Sequence, residues 1–234
     1  MPTKPSRDTI SNIVNYCNMH IVPDESYIAS QTGYQSEWFE RYFDFIPNHL
    51  LGRYLGESFY QARFLYKIML ALRLPSSKNI GFVKFQIIQY ASICEALIHY
   101  VIETRFKDEY ASQNRPYEFC QLPNALSNLT TIFFDKKPLF LCQKKDKKID
   151  LKRERIDSKI SFCRGKNIIS ESSAQQFKQL YDDRNNIHIL KAVNSNYRPR
   201  VQEAKNAFLL MQRVRDEIKS FLESQSSNEG NADN

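Results

Sequence analysis

The segment FKQLYDDRNNIHIL, residues 177–190, carries the side chains of this 234-residue chain best suited to chemistry. Wound as a helix at about 100° per residue from Phe177 at zero, Leu180 falls at about 300°, Tyr181 at about 40° and Ile187 at about 280°. These four define an apolar face. Arg184 falls at about 340° and His188 at about 20°, near the centre of that face, while Asn185 lies at its edge. Asp182, Asp183 and Asn186 point away. An arginine and a histidine one turn apart thus take positions where the pattern calls for core side chains. An unpaired buried guanidinium is costly, so a carboxylate, a partner subunit or a ligand phosphate must meet Arg184. The residue types suit phosphodiester chemistry. Histidine exchanges a proton near neutral pH, arginine braces charge developing on a phosphate with fixed planar donors, and Asn185 can orient either group. The structural alternatives are an Arg184 paired with Glu95 or Glu103 and a His188 that caps the helix end.

A second feature is the distribution of charge. The chain holds 33 Lys and Arg against 26 Asp and Glu, a formal net charge of +7. Between Lys144 and Lys166 ten basic residues face four acidic ones, so +6 of that excess falls in 23 residues. Lys144, Lys145, Lys147, Lys148, Lys152, Arg153 and Arg155 are the candidate phosphate contacts; a solvated loop and helix face is the plainer reading. Other chemistries find no support. Neither G-x-G-x-x-G nor a Walker-type loop occurs among only six glycines, and no nucleotide cofactor is expected. Five scattered cysteines (Cys17, Cys94, Cys120, Cys142, Cys163) and four histidines give no metal-ligand spacing. Unpaired thiols, no apolar leader in MPTKPSRDTIS and an uncharged run of only residues 85–94 predict a cytoplasmic protein away from membranes.

The elements that must position these groups read as helices. Ile10, Ile13, Val14 and Cys17 form a helical stripe, and an aromatic-dense stretch from Tyr34 to Phe45 suits a short amphipathic helix packed on the main body. Residues 50–74 keep a helical period up to Pro75 and Ser76-Ser77. Residues 82–106 are apolar except for a narrow stripe of Gln89, Ser92, Glu95, His99 and Glu103, the pattern of a helix at the centre of a bundle. His99, one turn from both glutamates, reads as an ion-pair partner. Residues 107–150 lose the rhythm at Pro116, Pro123 and Pro138, with a small hairpin expected around Asp135-Lys136-Lys137-Pro138. A basic helix is expected over 149–163, then one opened by the capping box Ser172-Ser173-Ala174-Gln175 and running to Leu190. A final helix covers 201–222. The reading is a mainly all-α protein, an up-and-down bundle of four to five helices. Residues 1–49 form an extension, 50–222 the bundle with an insertion at about 107–166, and 223–234 a disordered tail.

This order of elements resembles the HEPN superfamily. A long helix is followed by an apolar one carrying YASICEALIHYVIE, a variable insertion, and a helix with Arg184-Asn185-Asn186-Ile187-His188 before the closing helix. The resemblance covers residues 50–222 and implies a dimerising four- or five-helix bundle. Many such proteins are metal-independent endoribonucleases of toxin–antitoxin and antiviral defence systems, using an R-x(4–6)-H motif assembled across the dimer. Carried over, Arg184 would stabilise the phosphate, Asn185 position it and His188 act as general base or acid, without a cofactor. The RNA 2′-hydroxyl would attack the adjacent phosphorus to leave a cyclic phosphate and a 5′-hydroxyl. Here the spacing is R-x3-H, one residue shorter than that motif. The alternative the resemblance implies is a non-catalytic module that binds RNA or a partner protein. The partners expected are RNA, a second copy of the chain, and an antitoxin or other protein from a neighbouring gene.

Overall fold

The computed structural model describes residues 6–20, 38–74, 79–113, 117–121, 133–138, 142–146 and 150–229. The chain divides into two compact units, Met1–Ile98 with Ile160–Asn234, and His99–Lys159. The described residues are mainly helical, as the apolar periodicity requires.

In the first unit α1 (Arg7–His20) packs on α3 (His49–Ala71), and the four-residue α2 (Trp38–Arg41) precedes it. The long helix α4 (Ile80–Arg105) follows. Its sequence is apolar nearly all round, so it must be covered on most sides: Val83, Ile87, Tyr90, Ala91, Cys94 and Leu97 are all buried. By length and composition α4 could cross a bilayer, which the uncharged run 85–94 understates; 56% of its most apolar window is buried inside the protein. The remaining helices are α6 (Ile156–Gly165), α7 (Glu171–Asn186), α8 (Ile189–Ser195) and α9 (Val201–Glu229). The closing helix therefore carries residues 223–229, which the polar composition assigned to a disordered tail.

Aromatic rings join α3, α4 and α9. Phe59 stacks on Tyr42 at 4.5 Å and on Phe208 at 6.1 Å, while Tyr90 meets Phe208 at 5.7 Å. The aromatic stretch packs on the bundle as expected, but its helix stops at Arg41, and the buried Tyr42 and Phe43 lie in the turn that follows, with Ile46 buried just beyond; Tyr34 lies outside the described residues. Gly52 permits this docking, since a Cβ there would lie 3.2 Å from the Phe43 carbonyl oxygen. Helix α7 runs antiparallel along α9. Ser173 Oγ donates to Glu217 Oε1 at 3.0 Å near one end, and Arg213 Nη1 donates to Gln176 Oε1 at 3.4 Å one turn further along.

The second unit holds the end of α4, α5 (Lys107–Gln113) and two small antiparallel ladders. Strands β1 (Tyr117–Gln121) and β4 (Cys142–Asp146) pair from Tyr117 opposite Asp146 to Gln121 opposite Cys142. Between them in sequence, β2 (Phe133–Phe134) and β3 (Lys137–Pro138) form the expected hairpin. Its two-residue turn is Asp135-Lys136, with φ of 49° and 61°. Positive φ at both central residues matches strand twist, and aspartate tolerates it well. The basic helix expected over 149–163 starts only at Ile156; Leu151–Arg153 form a turn instead. His99 Nε2 lies 3.4 Å from Glu103 Oε2, in agreement with an ion-pair role.

Candidate functional site

The RNNIH segment does not continue one helix. Ser170 caps α7, its Oγ accepting from the Ser173 N–H at 3.2 Å, two residues before the capping box read from sequence. The helix then ends at Asn186. Ile187 closes it, and His188 is extended, with φ −62° and ψ 132°, as the cap residue before α8. The break lies between the two groups whose shared face depended on unbroken winding, so His188 does not sit one turn above Arg184 on an apolar stripe. The physical reason is local: Asn185-Asn186 are weak helix formers, and their amides compete with the backbone ladder.

Burial changes accordingly. Phe177, Leu180 and Ile187 are buried, but Arg184 and Asn185 are only partly covered and His188 is exposed. Arg184 needs no buried carboxylate, because its guanidinium lies 5.3 Å from the Tyr181 ring centroid, a contact between residues three apart on the helix. The His188 side chain makes no capping hydrogen bond. Arg184, Asn185 and His188 are therefore near in sequence and open to solvent, without the buried face that first singled them out.

The opposite flank of α7 is acidic. A groove of about 370 Å³ between α7 and α9 is lined by Gln176, Gln179, Asp183, Glu203, Asn206 and Arg213, among others. Burial holds the Asp183 carboxyl above the usual carboxylate range; a hydrogen bond from Gln179 at 3.0 Å opposes this, and the charges of Glu203 and Asp182 reinforce it. Glu203 Oε2 accepts from Tyr197 Oη at 3.1 Å and from the Arg200 N–H at 2.9 Å. Burial, with Asp183 and Glu203 nearby, pushes the Tyr197 phenol up. Two carboxylates make this groove unsuited to a phosphate. A larger, more open groove of about 1060 Å³ beside the start of α7 sets Arg164 and Arg213 among Glu171, Asp216 and Glu217, so it also lacks a cationic surplus.

The arginines that the fold does bury are Arg215 and, in large part, Arg63. Arg215 is 9% exposed; its Nε donates to the Tyr42 carbonyl at 2.8 Å, its Nη1 donates to Asp216 and its guanidinium lies 3.9 Å from the Tyr42 ring centroid. Arg63 lies 4.6 Å from the Phe208 ring, and burial lowers its pKa from the ordinary arginine value. A signal for both existed. Arg215 falls within about 20° of Phe208 on a helical wheel, and Arg63 follows Phe59 by four residues.

In the second unit the basic residues are displayed. Lys144, Lys145, Lys152, Arg153 and Arg155 are exposed, whereas Lys147 and Lys148 lie outside the described residues. Arg153 Nε is 3.3 Å from Asp150 Oδ2 and Arg155 Nη2 is 3.1 Å from Asp157 Oδ2, pairs exposed enough for water or phosphate to compete. The same run hides one exception. Lys159 is 3% exposed, its Nζ 3.4 Å from His99 Nδ1. Beyond the unit, Arg164 pairs with Glu171 at 3.2 Å. Among the described residues no three His, Cys, Asp or Glu side chains are placed to share a metal ion. Burial pushes the Cys163 thiol up to about 12 and raises the Cys94 thiol as well, and both side chains lie in the core.

No family model, no curated protein and no solved structure matches the chain. The fold and site define a helical-bundle protein carrying a basic two-stranded ribbon.

Proposed function

We propose that this protein binds RNA and that the basic ribbon of the His99–Lys159 unit is the contact surface. The observation that carries this reading is that Lys144 and Lys145 stand exposed on a paired strand, followed by exposed Lys152, Arg153 and Arg155. A strand ladder fixes the backbone, so less conformational entropy is lost when a phosphate is met. Each phosphate neutralised on a single strand contributes about −0.7 to the slope of log K against log salt. The test is fluorescence anisotropy of a labelled RNA across a salt series. Replacing Lys144 and Lys145 together by alanine is expected to weaken binding and flatten the slope by about 1.4. No binding at low salt, or an unchanged slope, overturns the reading.

A stronger form of the same reading is a metal-independent endoribonuclease, HEPN-like and dimeric, acting in growth arrest or antiviral defence on cytoplasmic RNA. The observation favouring it is that Arg184, Asn185 and His188 all reach solvent within five residues, at a helix break free of any His188 capping bond. In that chemistry His188 takes the 2′-hydroxyl proton, the 2′-oxygen bonds to the adjacent phosphorus, and the bond from phosphorus to the 5′-oxygen breaks, that oxygen taking a proton from water. Arg184 offsets the charge gathered on the phosphate. Incubating a structured RNA pool with wild type and His188→Ala in EDTA tests it. Cyclic-phosphate ends from wild type alone are expected; equal cleavage by both removes His188 from the chemistry, and cleavage by neither leaves RNA binding as the function.

A further inference from the structure

Two phenylalanines of the ribbon unit remain on the surface, and each stands across from a lysine. Phe119 on β1 is 66% exposed and its register partner is Lys144; Phe134 on β2 is 73% exposed and its partner is Lys137. Partners in an antiparallel ladder project from the same face, so aromatic and cation form a pair in both places. Lys136, Lys137, Lys144 and Lys145 are all exposed. A small two-stranded ladder gains little by leaving large aromatics in water, and one such ring would need no explanation. Two rings, each set against a cation, match what a flexible anionic strand requires: a flat surface for a base and a charge for the phosphate beside it.

We infer that Phe119 and Phe134 are base-stacking platforms, and that the ribbon's ligand is single-stranded rather than duplex RNA. This rests on the RNA-binding reading and adds the form of RNA recognised. Chain geometry keeps the platforms within reach of one strand. Lys137 and Lys144 are seven residues apart, at most about 25 Å when extended, and each cross-strand step adds about 5 Å. The Cα atoms of the two phenylalanines are thus at most about 35 Å apart, a distance spanned by a strand within the range of sites that proteins of this kind occupy. Duplex RNA keeps its bases stacked on one another and offers the rings nothing, whereas a single strand can turn a base onto each ring. The positive charge of the ribbon serves both forms of RNA alike. The rings alone discriminate.

The test is anisotropy with the full chain, using a fluorescein-labelled oligouridylate of about twelve nucleotides and a duplex RNA of similar length. Wild type is expected to prefer the single strand. Phe119→Ala and Phe134→Ala are each expected to weaken single-strand binding about tenfold and to leave duplex binding unchanged. Phe119→Tyr and Phe134→Tyr are expected to retain it, and thermal melts of all four variants control for folding. Equal affinity of wild type for both RNAs, with the alanine variants binding as wild type does and the salt slope intact, overturns the stacking inference while RNA binding stands. Failure of wild type to bind either RNA at low salt removes RNA binding itself, and this inference with it.

Discussion

Arg215 and Arg184 show the same pattern in sequence and opposite environments in the fold. Each falls among apolar residues on a helical wheel. Arg215 lies well inside α9, where the winding continues for fourteen residues to Glu229, and the bundle supplies a carbonyl, a carboxylate and an aromatic face for it. Arg184 lies two residues before α7 stops, so the wheel no longer applies beyond it, and its guanidinium, only partly covered, lies over Tyr181. A wheel reports the face of a residue only while the helix lasts. The buried guanidinium of Arg215 is then structural, and the partly covered one of Arg184 meets a neighbour on its own helix rather than the core.

The difference has a stability scale. The largest effect is expected at Phe59, fully buried and in contact with both Tyr42 and Phe208. Phe59→Ala should cost about 4 kcal/mol, because the cavity opens where three elements meet and removes the support of the Tyr42 ring on which Arg215 lies. Urea denaturation at constant m-value measures it. Arg215→Ala should follow at about 3 kcal/mol, the sum expected for a charged hydrogen bond and a desolvated cation–π contact. Arg215→Lys should recover less than half of this, as an ammonium cannot stack flat and donate sideways at once. A loss below about 1 kcal/mol for Arg215→Ala would erase the contrast with Arg184.

Arg184→Ala is expected to cost about 0.5 kcal/mol, that of an exposed cation–π contact. A change of this size in the urea midpoint would leave the protein folded in any assay, so a loss of RNA cleavage in this variant would report on chemistry. A cost near 3 kcal/mol would instead place Arg184 in the same class as Arg215.

Much of the bundle was legible because its cause is local. The apolar period of α3, α4 and α9, the Asp135 hairpin and the burial of Cys94 all follow from residues within a few positions of one another. The candidate site was less legible for an equally physical reason. Whether α7 passes Asn186 turns on a small balance between ladder hydrogen bonds and competing amides, which a pattern of apolar residues does not weigh. The Phe119–Lys144 pair of the ribbon was hidden because cross-strand register joins residues 25 positions apart. The expected basic helix failed at Leu151–Arg153, where Asp150 turns the chain: its carboxylate accepts from the Lys152 N–H at 3.1 Å, a local bond that replaces a helical one.

The smallest expected effect sharpens the contrast between the two flanks of α7, the acidic groove and the open arginine. Burial raises the Asp183 carboxyl above its unfolded range, so its favourable contribution is complete only below the unfolded pKa of about 3.9. It is lost as pH rises through the folded value, when a charge forms beside Glu203 and Asp182. Asparagine at this position keeps an oxygen for the Gln179 amide and never acquires that charge. Asp183→Asn is therefore expected to be more stable than wild type at pH 7 by roughly a few tenths of a kcal/mol, and equal to it near pH 3. Parallel urea titrations at the two pH values measure the difference. A variant less stable at pH 7 would show that the charged hydrogen bond from Gln179 outweighs burial and repulsion, and the groove would then be a place that favours a carboxylate. The expected sign makes it a place that tolerates one, which leaves the solvent-facing flank of Arg184 as the side of α7 open to an anion.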